Sequence, residues 1–137
     1  MAYIEFSGVK KQYKMGEVTI DALCGVDFEI NKGEFAVIAG ESGAGKSTLL
    51  NILGGMDRAT SGSITVDGEH IEGFSRKQLI TYRRFDIGFV FQFYNLVQNL
   101  TALENVELAT QICKDPFDPK MIMQKVGLGD RMNNFPA

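Results

Sequence analysis

Apolar and polar residues alternate at two places in the first thirty positions. Ile4 and Phe6 alternate with Glu5 and Ser7, and Val26, Phe28 and Ile30 alternate with Asp27 and Glu29. A period of two is that of a strand with one face buried, so residues 1–35 read as strands. Asn31-Lys32-Gly33 is a turn signal, followed by the continuous apolar run Phe35-Ala36-Val37-Ile38-Ala39. Such a run is too short for a helix and suits a strand buried on both faces, as in a parallel sheet. After a glycine-rich stretch, Thr48 to Leu53 reads as a helix ended by Gly54-Gly55. Ser63 to Val66 reads as a short strand closed by the turn Asp67-Gly68, and Ile87 to Phe91 as another short buried strand.

Side-chain caps mark the remaining helices. Ser75 and Gln78 have capping-box spacing, which predicts a helix from Arg76 to about Arg83. Thr101 and Glu104 form a second box and open a helix through about Cys113, with Leu103, Val106, Leu108, Ala109 and Ile112 spaced like its buried face. Asp118 is an N-cap with Pro119 at the first helical position, and Gly127 is the matching C-cap. Strands first, then strand alternating with helix, predict an α/β core with an antiparallel appendage and a helical region after it.

Composition narrows the class of protein. A length of 137 residues is one domain or a piece of a larger one. With 45% apolar and 23% charged residues, a disordered tail, a collagen-like rod and a disulfide scaffold are excluded. The net charge is −3 and no basic block exists, so no nucleic-acid partner is expected. Cys24 and Cys113 stand alone, without the spacing of a metal site or redox pair, and read as reduced thiols of a cytosolic protein. The N-terminus lacks the pattern of a signal peptide. The longest apolar run, near Phe35 to Gly40, is too short to span a bilayer, so any membrane association is expected through a partner.

The decisive segment is Gly40-Glu41-Ser42-Gly43-Ala44-Gly45-Lys46-Ser47-Thr48, which matches the phosphate-loop pattern G-x-x-x-x-G-K-[ST]. Glycines let successive N–H groups point into one anion-binding nest, and the following helix adds its positive end. Lys46 would bring a point charge to the β- and γ-phosphates, and the Ser47 hydroxyl a ligand for Mg²⁺. The predicted strand before the loop and apolar helix after it supply the context this motif needs. A GTPase would need a later D-x-x-G, and no Asp here has Gly three residues on. Asn31-Lys32-Gly33-Glu34 lies before the loop and ends in Glu, so it is no N-K-x-D. A nucleotide kinase would need an arginine-rich lid. The one basic Arg pair, Arg83-Arg84, is accounted for by its place at a helix C-terminus.

Around this loop the chain resembles the ATP-binding subunit of ABC transporters, and is most similar to the branch of lipoprotein-release and macrolide-export ATPases. The resemblance is carried by Leu23-Cys24-Gly25-Val26, Gly33-Glu34-Phe35, the phosphate loop, and Gly88 to Val106, above all Phe91-Gln92-Phe93-Tyr94-Asn95-Leu96 and Leu103-Glu104-Asn105-Val106. It implies a P-loop NTPase fold: an antiparallel β appendage (1–35 and 60–72), a P-loop core with a partial parallel sheet (36–59 and 73–92), and the start of a helical subdomain (93–137). It implies that Tyr13, after the first strand, stacks on adenine. It implies that Gln92, at the end of a buried strand, contacts Mg²⁺ and the attacking water. The cofactors would be ATP and Mg²⁺. The partners would be a membrane permease subunit and a second ATP-binding subunit, at the cytoplasmic face of the membrane.

Three elements of that family have no counterpart in these residues. No serine-glycine-glycine signature follows Gln92, no apolar run ends in Asp-Glu, and no histidine stands at the end of a late buried strand. Ile64-Thr65-Val66-Asp67 has too few apolar residues and leads into a hairpin turn, and His70 reads as a surface residue. The chain therefore reads as an N-terminal portion with phosphate loop, adenine platform and glutamine loop but no general base. An unfinished sheet would leave an apolar face open to self-association. The alternative reading is a nucleotide-binding or interaction module without ATPase activity of its own.

Overall fold

The computed structural model describes residues 1–137, which fall into two compact units, Met1–Ile87 and Gly88–Ala137. The first unit is built on a four-stranded antiparallel sheet of order β2-β1-β3-β4. β1 (Ile4–Met15) and β2 (Val18–Ile30) form a long hairpin, with Phe6 opposite Phe28 and their rings stacked 4.5 Å apart. β3 (Ser61–Val66) pairs with β1, placing Ile64 opposite Phe6. The turn from β3 to β4 (Glu69–His70) is Asp67-Gly68, both with positive φ (49° and 82°), the two-residue turn whose twist suits a hairpin. This is the hairpin end that the short apolar run at Ile64–Val66 predicts.

Two helices cover one face of the sheet. α1 (Lys46–Leu53) buries Leu49 and Ile52, and α2 (Arg76–Phe85) buries Leu79 and Tyr82. They close a core with Phe6, Val9, Leu23, Ile64, Val66 and Ile71. The Ser75–Gln78 capping box is formed in both directions, so α2 starts where its sequence says and runs two residues past Arg83.

Tyr82 ties the two helices together. Its hydroxyl donates to the Leu53 carbonyl at 2.7 Å, at the end of α1. Burial, helped by the charges of Asp86 and Tyr3, pushes the Tyr82 hydroxyl up to about 12. The folded chain thus holds the neutral phenol. The stability this supplies is complete below pH 10, the ordinary tyrosine value, and is lost as pH rises toward about 12. Tyr82→Phe is expected to lower stability at pH 8 by about 1–2 kcal/mol through the orphaned carbonyl. Urea melts at pH 8 and pH 11 should show the variant losing less between the two than the wild type.

Two predicted strands are not strands. Phe35–Ala39 and Ile87–Phe91 form no regular secondary structure and lie outside the four-stranded sheet. A strand buried on both faces needs neighbours on both edges to take up its N–H and C=O groups, and none of the four strands pairs with either segment. The two-sided burial expected of Phe35–Ala39 is absent. Ile38 packs against the core, whereas Phe35 and Val37 point outward, 95% and 76% exposed. Tyr13, expected after the first strand, lies within β1, because the hairpin extends to Met15.

The second unit carries α3 (Ala102–Thr110) and α4 (Pro119–Lys125), which pack on each other. The Thr101–Glu104 box opens α3 as its spacing predicts. Asn105 folds the preceding loop onto the helix, accepting from Val97 N at 2.8 Å and donating to the Val97 and Leu100 carbonyls. Asp118 caps α4 through Lys120 N, and Gly127 follows its last turn at φ 79°. α3 ends earlier than Cys113 and buries none of its residues fully. Leu103 and Val106 are half-buried, whereas Leu108, Ala109 and Ile112 are exposed. The fully buried side chain of this unit is Met123, on α4.

Candidate functional site

The site is built on α1. Gly45 is its N-cap, in the left-handed conformation (φ 95°), and no side chain caps the helix. The N–H groups of the first turn therefore have no intrahelical partner and face the loop before them. That turn, Lys46-Ser47-Thr48, contains no acidic residue, so the positive end of the helix dipole is left for an external anion. The close approach of the loop to β2 explains why Gly stands at 45. A Cβ there would lie 2.5 Å from the Ala22 carbonyl oxygen and 3.0 Å from the Leu23 side chain.

The loop itself is short and solvent-facing. Glu41, Ser42, Gly43 and Ala44 are exposed, and Ala44 N donates to the Glu41 carbonyl at 3.1 Å. Lys46 folds back over the loop, and its Nζ donates to the carbonyls of Gly40 and Glu41, each at 2.6 Å. The ammonium is thus held at the mouth of the loop by two neutral acceptors. A doubly charged phosphate oxygen cluster outcompetes such acceptors as a partner for an ammonium. The donor set fits a polyphosphate: unpaired N–H groups, one ammonium and the exposed Ser47 hydroxyl. No cluster of three or more His, Cys, Asp or Glu side chains could hold a metal by itself. A Mg²⁺ ion here would fit the usual pattern of few protein ligands, the rest being phosphate oxygens and water.

Tyr13 sits on β1 in the same unit, 37% exposed, with its hydroxyl donating to Asp57 Oδ2 at 2.7 Å. Lys11 Nζ lies 4.9 Å from the centre of the Tyr13 ring and donates to Asp57 Oδ1 at 2.9 Å and to the Arg58 carbonyl at 2.6 Å. The hydrogen bond to Asp57 and, secondarily, burial raise the Tyr13 hydroxyl above its ordinary value, while Thr48 on the first turn of α1 opposes the rise. Burial works to raise the Asp57 carboxyl. Hydrogen bonds from Tyr13, Lys11 and Arg58 N outweigh it and leave the group below its ordinary range. Asp57 is therefore a carboxylate at neutral pH.

The phosphate loop, its helix and Tyr13 thus belong to one unit. Gln92 belongs to the other, in a bend with its side chain exposed rather than at the end of a strand. Beside it the rings of Phe89 and Phe91 stack 5.4 Å apart. His70 is exposed and bonded to Glu72 at 3.0 Å, a surface pair at the end of the two-residue edge strand β4. Asp57 and Lys11 were not legible in the sequence as site residues. Asp57 meets Tyr13 across 44 positions, and no local spacing announces such a contact.

Comparison with known proteins agrees with this geometry. The family model described as "ABC transporter" matches residues 23–136. An uncharacterised ABC transporter ATP-binding protein of Thermotoga maritima is 46% identical over 97% of this chain and 59% of its own length. The lipoprotein-releasing system ATP-binding protein LolD of Shewanella frigidimarina is 40% identical over 99% of this chain and 59% of its own length. Among solved structures, the ATP-binding cassette MJ0796, a dimer in a post-hydrolysis state bound to ADP and Pi, superposes with a TM-score of 0.86 at 38% identity. That match covers 97% of this chain and 61% of MJ0796. The chain spans about three fifths of the length of the relatives it matches. A phosphate loop at the head of α1, a fold superposing on an ATP-binding cassette and a family match over most of the sequence lead to one assignment: this chain belongs to the ABC transporter family.

Proposed function

We propose that this chain is the nucleotide-binding portion of an ABC transporter ATPase subunit. The observation that carries the reading is the uncapped head of α1, with Lys46 held across the loop by two carbonyls. Gly40 to Thr48 would cradle the phosphates, Lys46 would contact the β- and γ-phosphates, and Tyr13 would stack on the adenine. Ser47 would be a protein ligand of Mg²⁺, which when bound neutralises phosphate charge and polarises the transferred phosphoryl group. MJ0796 is a dimer bound to ADP and Pi, and LolD is part of a lipoprotein-releasing system. By analogy the whole protein would pair with a second ATP-binding subunit and drive a membrane permease. No helix is long and apolar enough to cross a membrane. By the same analogy the ATPase would lie peripherally at the cytoplasmic face of the membrane, in contact with the permease.

Calorimetric titration with ATP, with and without Mg²⁺, tests the reading. Saturable binding that tightens with Mg²⁺ is expected, and a flat titration in both conditions overturns it. The second reading, binding without turnover, is favoured for these residues alone, because no Asp-Glu pair follows an apolar run to act as general base. A positioned base contributes about 10²–10⁴-fold, so hydrolysis by this chain should lag complete relatives by about a hundredfold or more. A turnover rate equal to theirs would count against it.

The outward face of Phe35 and Val37, with no strand alongside, also supports self-association of this chain with a second copy. Sedimentation equilibrium should show a mass rising with concentration, and Val37→Lys should restore the monomer. A monomer at all concentrations would rule this out.

A further inference from the structure

We propose that Asp57 is a positioning residue for the base of the nucleotide, acting through Tyr13. This rests on the reading of Tyr13 as the adenine platform. Asp57 lies just past the C-terminal end of α1, the helix whose N-terminus carries the phosphate loop. Its backbone N–H, like that of Met56, donates to the Asn51 carbonyl inside that helix, at 3.2 and 2.8 Å. The carboxylate is thereby fixed to the helix rather than to a free loop.

Its two oxygens are used differently. Oδ1 receives Lys11 Nζ and Arg58 N, at 2.9 and 2.7 Å, and Oδ2 receives the Tyr13 hydroxyl at 2.7 Å. The segment is pinned to β1 on both sides of Lys11. Thr60 N donates to the Lys10 carbonyl at 2.8 Å, and Gln12 N donates to Thr60 Oγ1 at 2.9 Å.

An exposed tyrosine on a strand ordinarily samples several rotamers. Here the hydroxyl is tethered, and the Lys11 ammonium sits 4.9 Å from the ring centre. A cation on one face of a ring is favourable and occupies that face. The opposite face is the one left for a stacked base. The ring is thereby referenced to both ends of α1, its hydroxyl bonded to Asp57 just past the C-terminal end and interacting with Thr48 on the first turn beside the phosphate loop. Holding the ring in advance lowers the ordering cost of binding a base, and does nothing for the phosphates.

The test separates base from phosphate. Dissociation constants for ATP and for inorganic tripolyphosphate are measured for the wild type, Asp57→Ala, Tyr13→Phe and the double variant. Losing one charge-assisted hydrogen bond is expected to weaken ATP about threefold to tenfold in Asp57→Ala while tripolyphosphate binds as before. Tyr13→Phe, which keeps the ring and touches no buried group, should give a similar selective loss. Adding Asp57→Ala to it should change the ratio no further. Equal weakening of both ligands by Asp57→Ala, or full ATP affinity in Tyr13→Phe, overturns the inference and leaves the nucleotide reading intact. A wild-type chain that binds neither ligand overturns both.

Discussion

Replacing Lys46 with alanine is expected to remove measurable nucleotide binding while leaving the melting temperature nearly unchanged. The two halves of this expectation follow from the same geometry. Without ligand, the ammonium donates to the Gly40 and Glu41 carbonyls, both on an exposed loop. Water takes over such acceptors when the lysine is cut back, so folding loses little. With a polyphosphate present, the ammonium exchanges neutral partners for anionic ones, and each charge-assisted bond is worth about 1.5–3 kcal/mol. Two of them amount to about a hundredfold or more in dissociation constant. Calorimetry against ATP, with thermal unfolding in parallel, reads both halves. A variant that binds ATP within threefold of wild type would show that the lysine stays on its carbonyls and that the loop is not used as proposed. A variant that unfolds would show that those two bonds hold the loop together.

Local chemistry made much of this fold legible. Ser75 with Gln78, and Thr101 with Glu104, satisfy orphan N–H groups within four residues, and both boxes form where their spacing places them. Asp67-Gly68 dictates a hairpin turn by backbone preference alone. The phosphate-loop pattern announces a helix after its glycines, and α1 forms there with Gly45 as its N-cap, starting at Lys46 rather than at the predicted Thr48. What failed depended on partners distant in sequence. Phe35–Ala39 has the composition of a buried strand, but composition cannot supply the neighbouring strand that would bond its edges. The face of α3 has helical spacing, yet only Leu103 and Val106 meet enough of the unit to be half-buried. The same blindness hid Asp57. Tyr13 was visible through a resemblance, but the carboxylate that holds it comes from the far end of α1 and could be found only in the folded chain.

Gly45→Ala is expected to damage both stability and binding. Alanine at φ 95° adopts a left-handed backbone that costs about 1–2 kcal/mol in any surroundings. Gly43 has a similar φ of 80°, and a Cβ there would meet nothing within 4 Å, so Gly43→Ala should show this cost and little else. At Gly45 the added Cβ would stand 2.5 Å from the Ala22 carbonyl oxygen. That neighbour is backbone of β2, the bulged residue between the paired Leu23 and Asp21, so it cannot rotate away as a side chain would. Relief requires the head of α1 to move off the strand, which adds about 1–3 kcal/mol of displacement and aims the first-turn N–H groups elsewhere. The expected total is on the order of 3 kcal/mol for Gly45→Ala against about 1 for Gly43→Ala, read from urea melts. Tripolyphosphate affinity should fall in the Gly45 variant even under conditions where it is fully folded. Equal losses of stability at the two positions would mean that α1 slides along β2 without strain, and that the closeness of loop and strand does not set the direction in which the phosphate-binding N–H groups point.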